Sequence, residues 1–289
     1  MKLIAIFFLT LSSLLCQTIE AIPWGSGPDL ASVGLLKDAA GQSPRQSSFG
    51  TADSVFPHLA TGGGWETIIV TVNLSTTSMS YRTYFFDQSG KPMTVTIRAS
   101  TGELISTPST ISTLPRSASL TVPLIDDNAS STRTGWAVVV VDAATSESNR
   151  LGGYATFRQR IEGRPDFEAL VPMSSSSDYR FYLPVDETMG FQTAVALCNP
   201  STTLSTTLTL LVLDTNGRTN GRQTTLTLGP LEQTAFLIRD KFPTTVDQRW
   251  TLYVSGTTNG LSALGLRFNT LGGSAFSSIP VMNWSGMFQ

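Results

Sequence analysis

Short runs of apolar and β-branched residues, separated by Gly, Pro, Asn and Asp, set the pattern of this chain. Residues 67–72 (Thr-Ile-Ile-Val-Thr-Val), 81–86 and 94–98 read as strands. Asp87-Gln88-Ser89-Gly90 reads as the turn closing the second of them: the Asp side chain caps its own backbone and the Gly supplies a positive φ. Residues 117–124 follow Leu114-Pro115 as a further strand. Residues 136–141 are almost wholly apolar, which predicts a strand covered on both sides. Residues 154–161 and 166–171 predict a hairpin about Glu162-Gly163-Arg164.

The series then repeats. Gly64-Trp65-Glu66-Thr67, followed by Asn73-Leu74-Ser75-Thr76, returns at the same spacing as Gly190-Phe191-Gln192-Thr193, followed by Asn199-Pro200-Ser201-Thr202. Asp214-Thr215-Asn216-Gly217 matches the earlier Asp-x-x-Gly turn, and Leu228-Gly229-Pro230 answers Leu114-Pro115. Residues 250–254 answer 136–140, and Arg267 aligns with Arg158. The first series carries extra residues between Gly90 and Pro115, which predicts one longer hairpin there.

Strands at this density, with regular turns, predict an all-β chain of two tandem immunoglobulin- or fibronectin-like β-sandwich domains formed by internal duplication. The expected modules are residues 56–173 and 179–289, the second with a short C-terminal tail, joined by a Ser-rich linker at 174–178. Residues 22–55, rich in Gly, Ser, Pro and Gln, read as a mostly irregular leader, with one short helix capped by Asp29. Residues 1–21 read as an export signal: Lys2 is the charged start, residues 3–15 are apolar but too short to span a bilayer, and Ala21 is small enough for a cut. The expected location is secreted, at the cell surface or in the periplasm.

Several stretches carry a resemblance. Phe56-Pro57-His58-Leu59-Ala60 with Gly62-Gly63-Gly64-Trp65, the run from Gly152-Gly153-Tyr154 to Arg158-Gln159-Arg160, and Ala263-Leu264-Gly265-Leu266-Arg267-Phe268-Asn269 are similar to secreted bacterial proteins with two tandem β-sandwich modules and no assigned activity. The resemblance covers most of residues 56–282. It implies a fold and brings no catalytic residues.

Composition narrows the functions. The chain has 289 residues and a formal net charge of -2, so no polyanion partner is advertised. The lysines, Lys2, Lys37, Lys91 and Lys241, form no basic stripe for nucleic acid. Ser and Thr make up about a quarter of the residues, which favours strands and turns. No run after the signal reaches transmembrane length, and a membrane barrel is disfavoured because residues 136–141 do not alternate. Cleavage of the signal leaves Cys198 alone, inside an apolar strand, so it reads as a small buried residue.

Candidate chemistry is sparse. His58 is the one histidine, no Gly-x-Ser-x-Gly elbow accompanies it, and His/Cys zinc spacing is absent. It reads as a loop or strand-edge residue, and no metal or cofactor is expected. Asp166 with Glu168, and Asp186 with Glu187, are the carboxylate pairs a glycosidase would need, but 21 acidic residues always offer pairs. Asp126-Asp127-Asn128 could offer oxygen ligands to calcium; it lacks EF-hand spacing and reads as a solvated turn. In the expected hairpin, Arg160 lies opposite Asp166 and Arg158 opposite Glu168, which predicts a ladder of two cross-strand ion pairs. The functional alternative is an anion or glycan site on Arg158, Arg160 and Arg164. Trp136 and Trp250 begin apolar strands and read as core, whereas Trp65 beside three glycines is the best candidate for a binding platform.

These readings lead to a secreted, non-enzymatic protein for structure, adhesion or protein contact, with an extracellular protein or glycan as partner and neither nucleic acid nor membrane. Carbohydrate or matrix-polymer binding is the alternative, favoured if aromatics share an exposed sheet face. A carboxylate-based hydrolase ranks third.

Overall fold

The computed structural model describes residues 18–21, 54–99, 101–125, 131–141, 150–163, 166–175, 179–258, 260–270 and 275–283. The helix expected after Asp29, the Asp126-Asp127-Asn128 turn and Arg164 lie outside these. The described residues are all-β, 66% of them in strands. The one described α-helix is the single turn Ile238–Lys241.

The described strands form four sheets. In spatial order, sheet I contains Thr18–Ala21, Ser109–Leu114, Met79–Asp87, Arg133–Val141, Ser54–Thr61 and Ser174–Ser175. Sheet II contains Phe167–Pro172, Leu151–Gln159, Trp65–Asn73, Ser119–Ile125, Val95–Arg98 and Leu104–Thr107. Sheet III contains Thr219–Leu228, Thr206–Leu213, Arg249–Gly256, Arg180–Asp186 and Met282–Asn283. Sheet IV contains Gln233–Leu237, Phe191–Cys198, Ser262–Asn269 and Phe276–Ile279. The extra residues after Gly90 form the hairpin Val95–Arg98 with Leu104–Thr107 at one edge of sheet II.

The four small sheets are arranged as a four-bladed β-propeller, and the expectation of two tandem immunoglobulin- or fibronectin-like sandwiches is corrected. The physical reason lies in how apolar faces are shared. Two self-contained modules would each close a private core. Here Ala196, Leu264, Leu266 and Phe276 of sheet IV join the cluster built by Phe56, Phe85, Ile97 and Phe157 of sheets I and II. The opposite face of sheet IV, with Val195 and Leu197, joins Phe181, Leu183 and Leu252 of sheet III. A third cluster sets Phe86, Trp136 and Val138 of sheet I against Cys198 of sheet IV. Trp136, Ala137, Val138 and Val139 are therefore all buried, each face of their strand meeting a different cluster.

Specific polar contacts fasten this join. Trp136 Nε1 donates to Leu231 O at 2.9 Å, and the Gln233 amide donates to Gln88 O at 3.1 Å. Trp136 stacks on Phe86 with ring centroids 5.0 Å apart. Thr18–Ala21, inside the stretch read as an export signal, pairs with Ser109–Leu114 along the edge of sheet I. A cut after Ala21 would leave Ser109–Leu114 as that edge.

The repeated sequence motifs have a structural explanation. Asn73 Nδ2 donates to Thr77 O, Leu114 O and Pro115 O, while its Oδ1 accepts from the Ser75 amide and hydroxyl. Asn199 Nδ2 donates to Leu204 O, Leu228 O and Gly229 O, and its Oδ1 accepts from the Ser201 amide. Each buried Asn ties the loop after its own strand to the carbonyls of a distant turn, some of which also accept a local donor, as Pro115 O does from the Ala118 amide and Gly229 O from the Glu232 amide. Thr67 and Thr193, both fully buried, exchange hydroxyl bonds with the backbone of Ala60 and Asp186 respectively, seven residues back. The spacing that recurs in the sequence is thus a pair of staples used twice.

Candidate binding surfaces

The hairpin register is Arg158 opposite Glu168, with Gly163 at φ 79 in its turn. Arg158 Nε donates to Glu168 Oε1 at 2.6 Å. Arg160 chooses differently: Nη2 bonds Glu66 Oε2 at 2.8 Å, while Asp166 is 3.7 Å away. Glu66, directly opposite Arg158 on the neighbouring strand and 3.4 Å from it, is the member the sequence reading missed. Both expected ion pairs are present, and Glu66 joins them into a network of two arginines among three carboxylates. The Glu168 hydrogen bond holds the Arg158 guanidinium charged. Both described arginines here meet internal carboxylates, so they have little left to recruit an anion. Because the network is largely solvent-facing, Arg158→Met is expected to cost no more than about 1 kcal/mol, with the difference shrinking in high salt. Urea denaturation at two ionic strengths checks this.

Arg267 does not share the role of Arg158. Thr67 faces Phe157 and Thr193 faces Arg267, so the structural equivalent of Arg267 is Phe157, one residue from the aligned arginine. One residue turns a strand side chain to the other face. Arg267 accordingly points toward sheet III, where Nη2 bonds Asp186 Oδ2 at 2.6 Å, and its guanidinium lies 3.4 Å from the Phe191 ring centroid.

The carboxylate pairs are engaged. Glu187 accepts from the Thr193 amide at 2.8 Å and from Arg239 Nε at 2.6 Å, and is buried. Burial opposes ionisation of Asp186, but hydrogen bonds from Thr188 and Arg267 outweigh it and hold the carboxyl below its ordinary value. A general acid needs the reverse. Among the described residues no group of three or more His, Cys, Asp or Glu is placed to hold a metal. Cys198 is fully buried, and burial pushes its thiol far up.

Trp65 and His58 sit at the join between the two halves. Trp65 is half-buried, its ring 5.1 Å from that of Phe276 in sheet IV. Its glycine neighbourhood has a backbone reason: Gly64 (φ 84) passes Arg160 so closely that a Cβ would meet Arg160 O at 2.7 Å. His58 is half-buried, edge-on to Phe157 at 5.7 Å, with Nδ1 2.9 Å from Gln233 Nε2. Neither ring presents a free platform to solvent.

The exposed apolar groups lie elsewhere. On the outer face of sheet II, Ile68, Val70 and Val72 alternate with core-facing Thr67, Ile69 and Thr71. Tyr154 stands opposite Val70, and Leu170 is one strand further out from Ile68, across Thr156. Tyr154 is 39% exposed, Leu170 57% and the adjoining Leu74 61%. Sheet III presents a second face, with Tyr182 and Tyr253 side by side. These tyrosines were legible only as alternating strand positions. No protein-family model and no curated protein matches the chain. No described helix is long and apolar enough to cross a membrane.

Proposed function

We propose that this is an exported, non-enzymatic protein that works by protein contact, with the outer face of sheet II as its contact surface. The observation that carries the reading is the exposed row of Leu170, Tyr154 and Leu74 over half-buried Ile68, Val70 and Val72. Contiguous apolar surface rimmed by charge characterises interaction sites, and the Arg158–Glu66–Glu168 network borders this patch on one side. The engagement of Asp186 and Glu187 by arginines supports a non-catalytic role. The signal-like residues 1–21 support export.

Leu170→Glu places a charge at the outer, edge-strand side of the patch without touching a core cluster. The immobilised protein is expected to retain a defined protein from the culture fluid of its own source cells. The variant should lose at least about tenfold of that binding at an unchanged melting temperature. Binding indifferent to Leu170→Glu would remove this face as the contact surface.

A further inference from the structure

The outer face of sheet III differs in kind from that of sheet II. Strand alternation brings one residue from each of five strands into a row: Met282, Tyr182, Tyr253, Leu211 and Gln223, each opposite the next. Four inter-strand steps make this row about 19 Å long. Its centre is the Tyr182–Tyr253 pair, with ring centroids 5.0 Å apart and planes tilted by 44°. Met282, at one end, is 46% exposed.

Hydroxyls run parallel to this rail. Ser255, Thr209 and Thr225 face one another across three strands. Beyond them Thr207 and Thr227 pair, Oγ1 to Oγ1 at 3.3 Å. The charges lie at the ends. Arg249 is 3.6 Å from Asp186 at one end of the face. At the other, the Arg180 guanidinium stacks 4.6 Å over the Tyr179 ring. Between these ends, the strands Arg180–Asp186, Arg249–Gly256 and Thr206–Leu213 carry no charged side chain.

We propose that this face binds a neutral polysaccharide chain, laid along the Tyr182–Tyr253 rail with its ring hydroxyls against the flanking Ser and Thr rows. A pyranose ring offers C–H groups on its faces and hydroxyls around its rim. An apolar aromatic strip beside hydroxyl rows matches both. Tyrosine suits the task because it combines a rigid apolar body with a polar tip. The charge pattern favours the class: the three central strands bring no cation into the rail for a polyanion, the nearest being Arg180 opposite Ser255 and Arg222 on the flanking strand, and a charged protein surface finds no counter-charge among the rings.

The test is retention of the full exported chain on insoluble cellulose and β-1,3-glucan, and on immobilised galactomannan, with polygalacturonate as the charged polymer. Saturable binding to at least one neutral polymer is expected, with none to polygalacturonate. Tyr253→Ala should weaken it at least about tenfold. Thr209→Asp, which leaves both rings in place and adds a charge to the hydroxyl row, should weaken it similarly. Tyr182→Phe/Tyr253→Phe, keeping the rings, should retain most of it, and Leu170→Glu on sheet II should leave it unchanged. Failure to bind any neutral polymer overturns the proposal. So does binding that survives both Tyr253→Ala and Thr209→Asp, or binding to polygalacturonate alone.

Discussion

Asn199→Ala is expected to lower the free energy of unfolding by about 2–4 kcal/mol, and Asn73→Ala by somewhat less because its carbonyl partners keep other donors. Each side chain is almost completely buried and saturates three backbone carbonyls at once. Alanine removes both Nδ2 hydrogens and the Oδ1 acceptor: at Asn199 the carbonyls of Leu204 and Leu228 and the Ser201 amide lose this partner, while Gly229 O keeps the Glu232 amide; at Asn73, Pro115 O keeps the Ala118 amide and Leu114 O the Ser78 hydroxyl. A buried acceptor without a partner costs about 1–3 kcal/mol, and relaxation or an entering water recovers part of the sum. Asn→Asp sharpens the argument. It retains the acceptor that receives the Ser201 or Ser75 amide. It also turns a donor into an anion aimed at three carbonyl oxygens, so it should fare no better than Ala. Urea unfolding of the two variants at each site measures this. A loss below about 1 kcal/mol for both would show that the recurring Asn is not a staple.

This staple was legible in the sequence as a recurrence, though not as a mechanism. Asn-x-Ser returned at a fixed offset after the strand, and Leu114-Pro115 and Leu228-Gly229-Pro230 were aligned without any sign that their carbonyls are the partners. Strand positions and the Arg158–Glu168 register followed from period-two alternation and the Gly163 turn. The sheet arrangement did not. A repeat in sequence marks two copies of a strand order, yet says nothing of how the copies share apolar faces. The clue was present in residues 194–198, Ala-Val-Ala-Leu-Cys, which are apolar on both faces and serve three clusters. Glu66 is not legible from the hairpin alone, because the strand of Arg158 has two neighbours and Glu66 faces it from the second. The glycines before Trp65 answer a backbone need, Gly64 passing close to Arg160 and Gly63 close to Thr132. The tyrosines of sheet III are far apart in sequence and become neighbours only through pairing of Arg180–Asp186 with Arg249–Gly256.

His58 is expected to make the folded state lose about 3 kcal/mol as pH falls from 6.5 to 4. Burial lowers its pKa from 6.5 to about 4. Gln233 Nε2 also lies 3.4 Å from Pro57 O, so the amide donates to both that carbonyl and His58 Nδ1, leaving the imidazole neutral with its proton on Nε2. A second proton at Nδ1 would face an N–H donor. Turning the amide would instead bring its oxygen against Pro57 O. Above pH 6.5 the ring is neutral in both folded and unfolded chains, and the full stability is present. Below 6.5 the unfolded chain takes up the proton first, and stability falls by about 1.4 kcal/mol per pH unit until the folded ring titrates near pH 4. The contact joins Ser54–Thr61 of the first half to Gln233–Leu237 of the second, so the loss should register as weakening of the whole shared core. His58→Gln removes the titrating ring. The wild-type chain should then show the steeper decline across this window in urea unfolding, while His58→Gln, less stable at pH 7, should run nearly flat until the carboxylates titrate. Parallel slopes in the two proteins would mean that His58 is as readily protonated in the folded chain as in the unfolded one. The join between the halves would then be open to water at that ring.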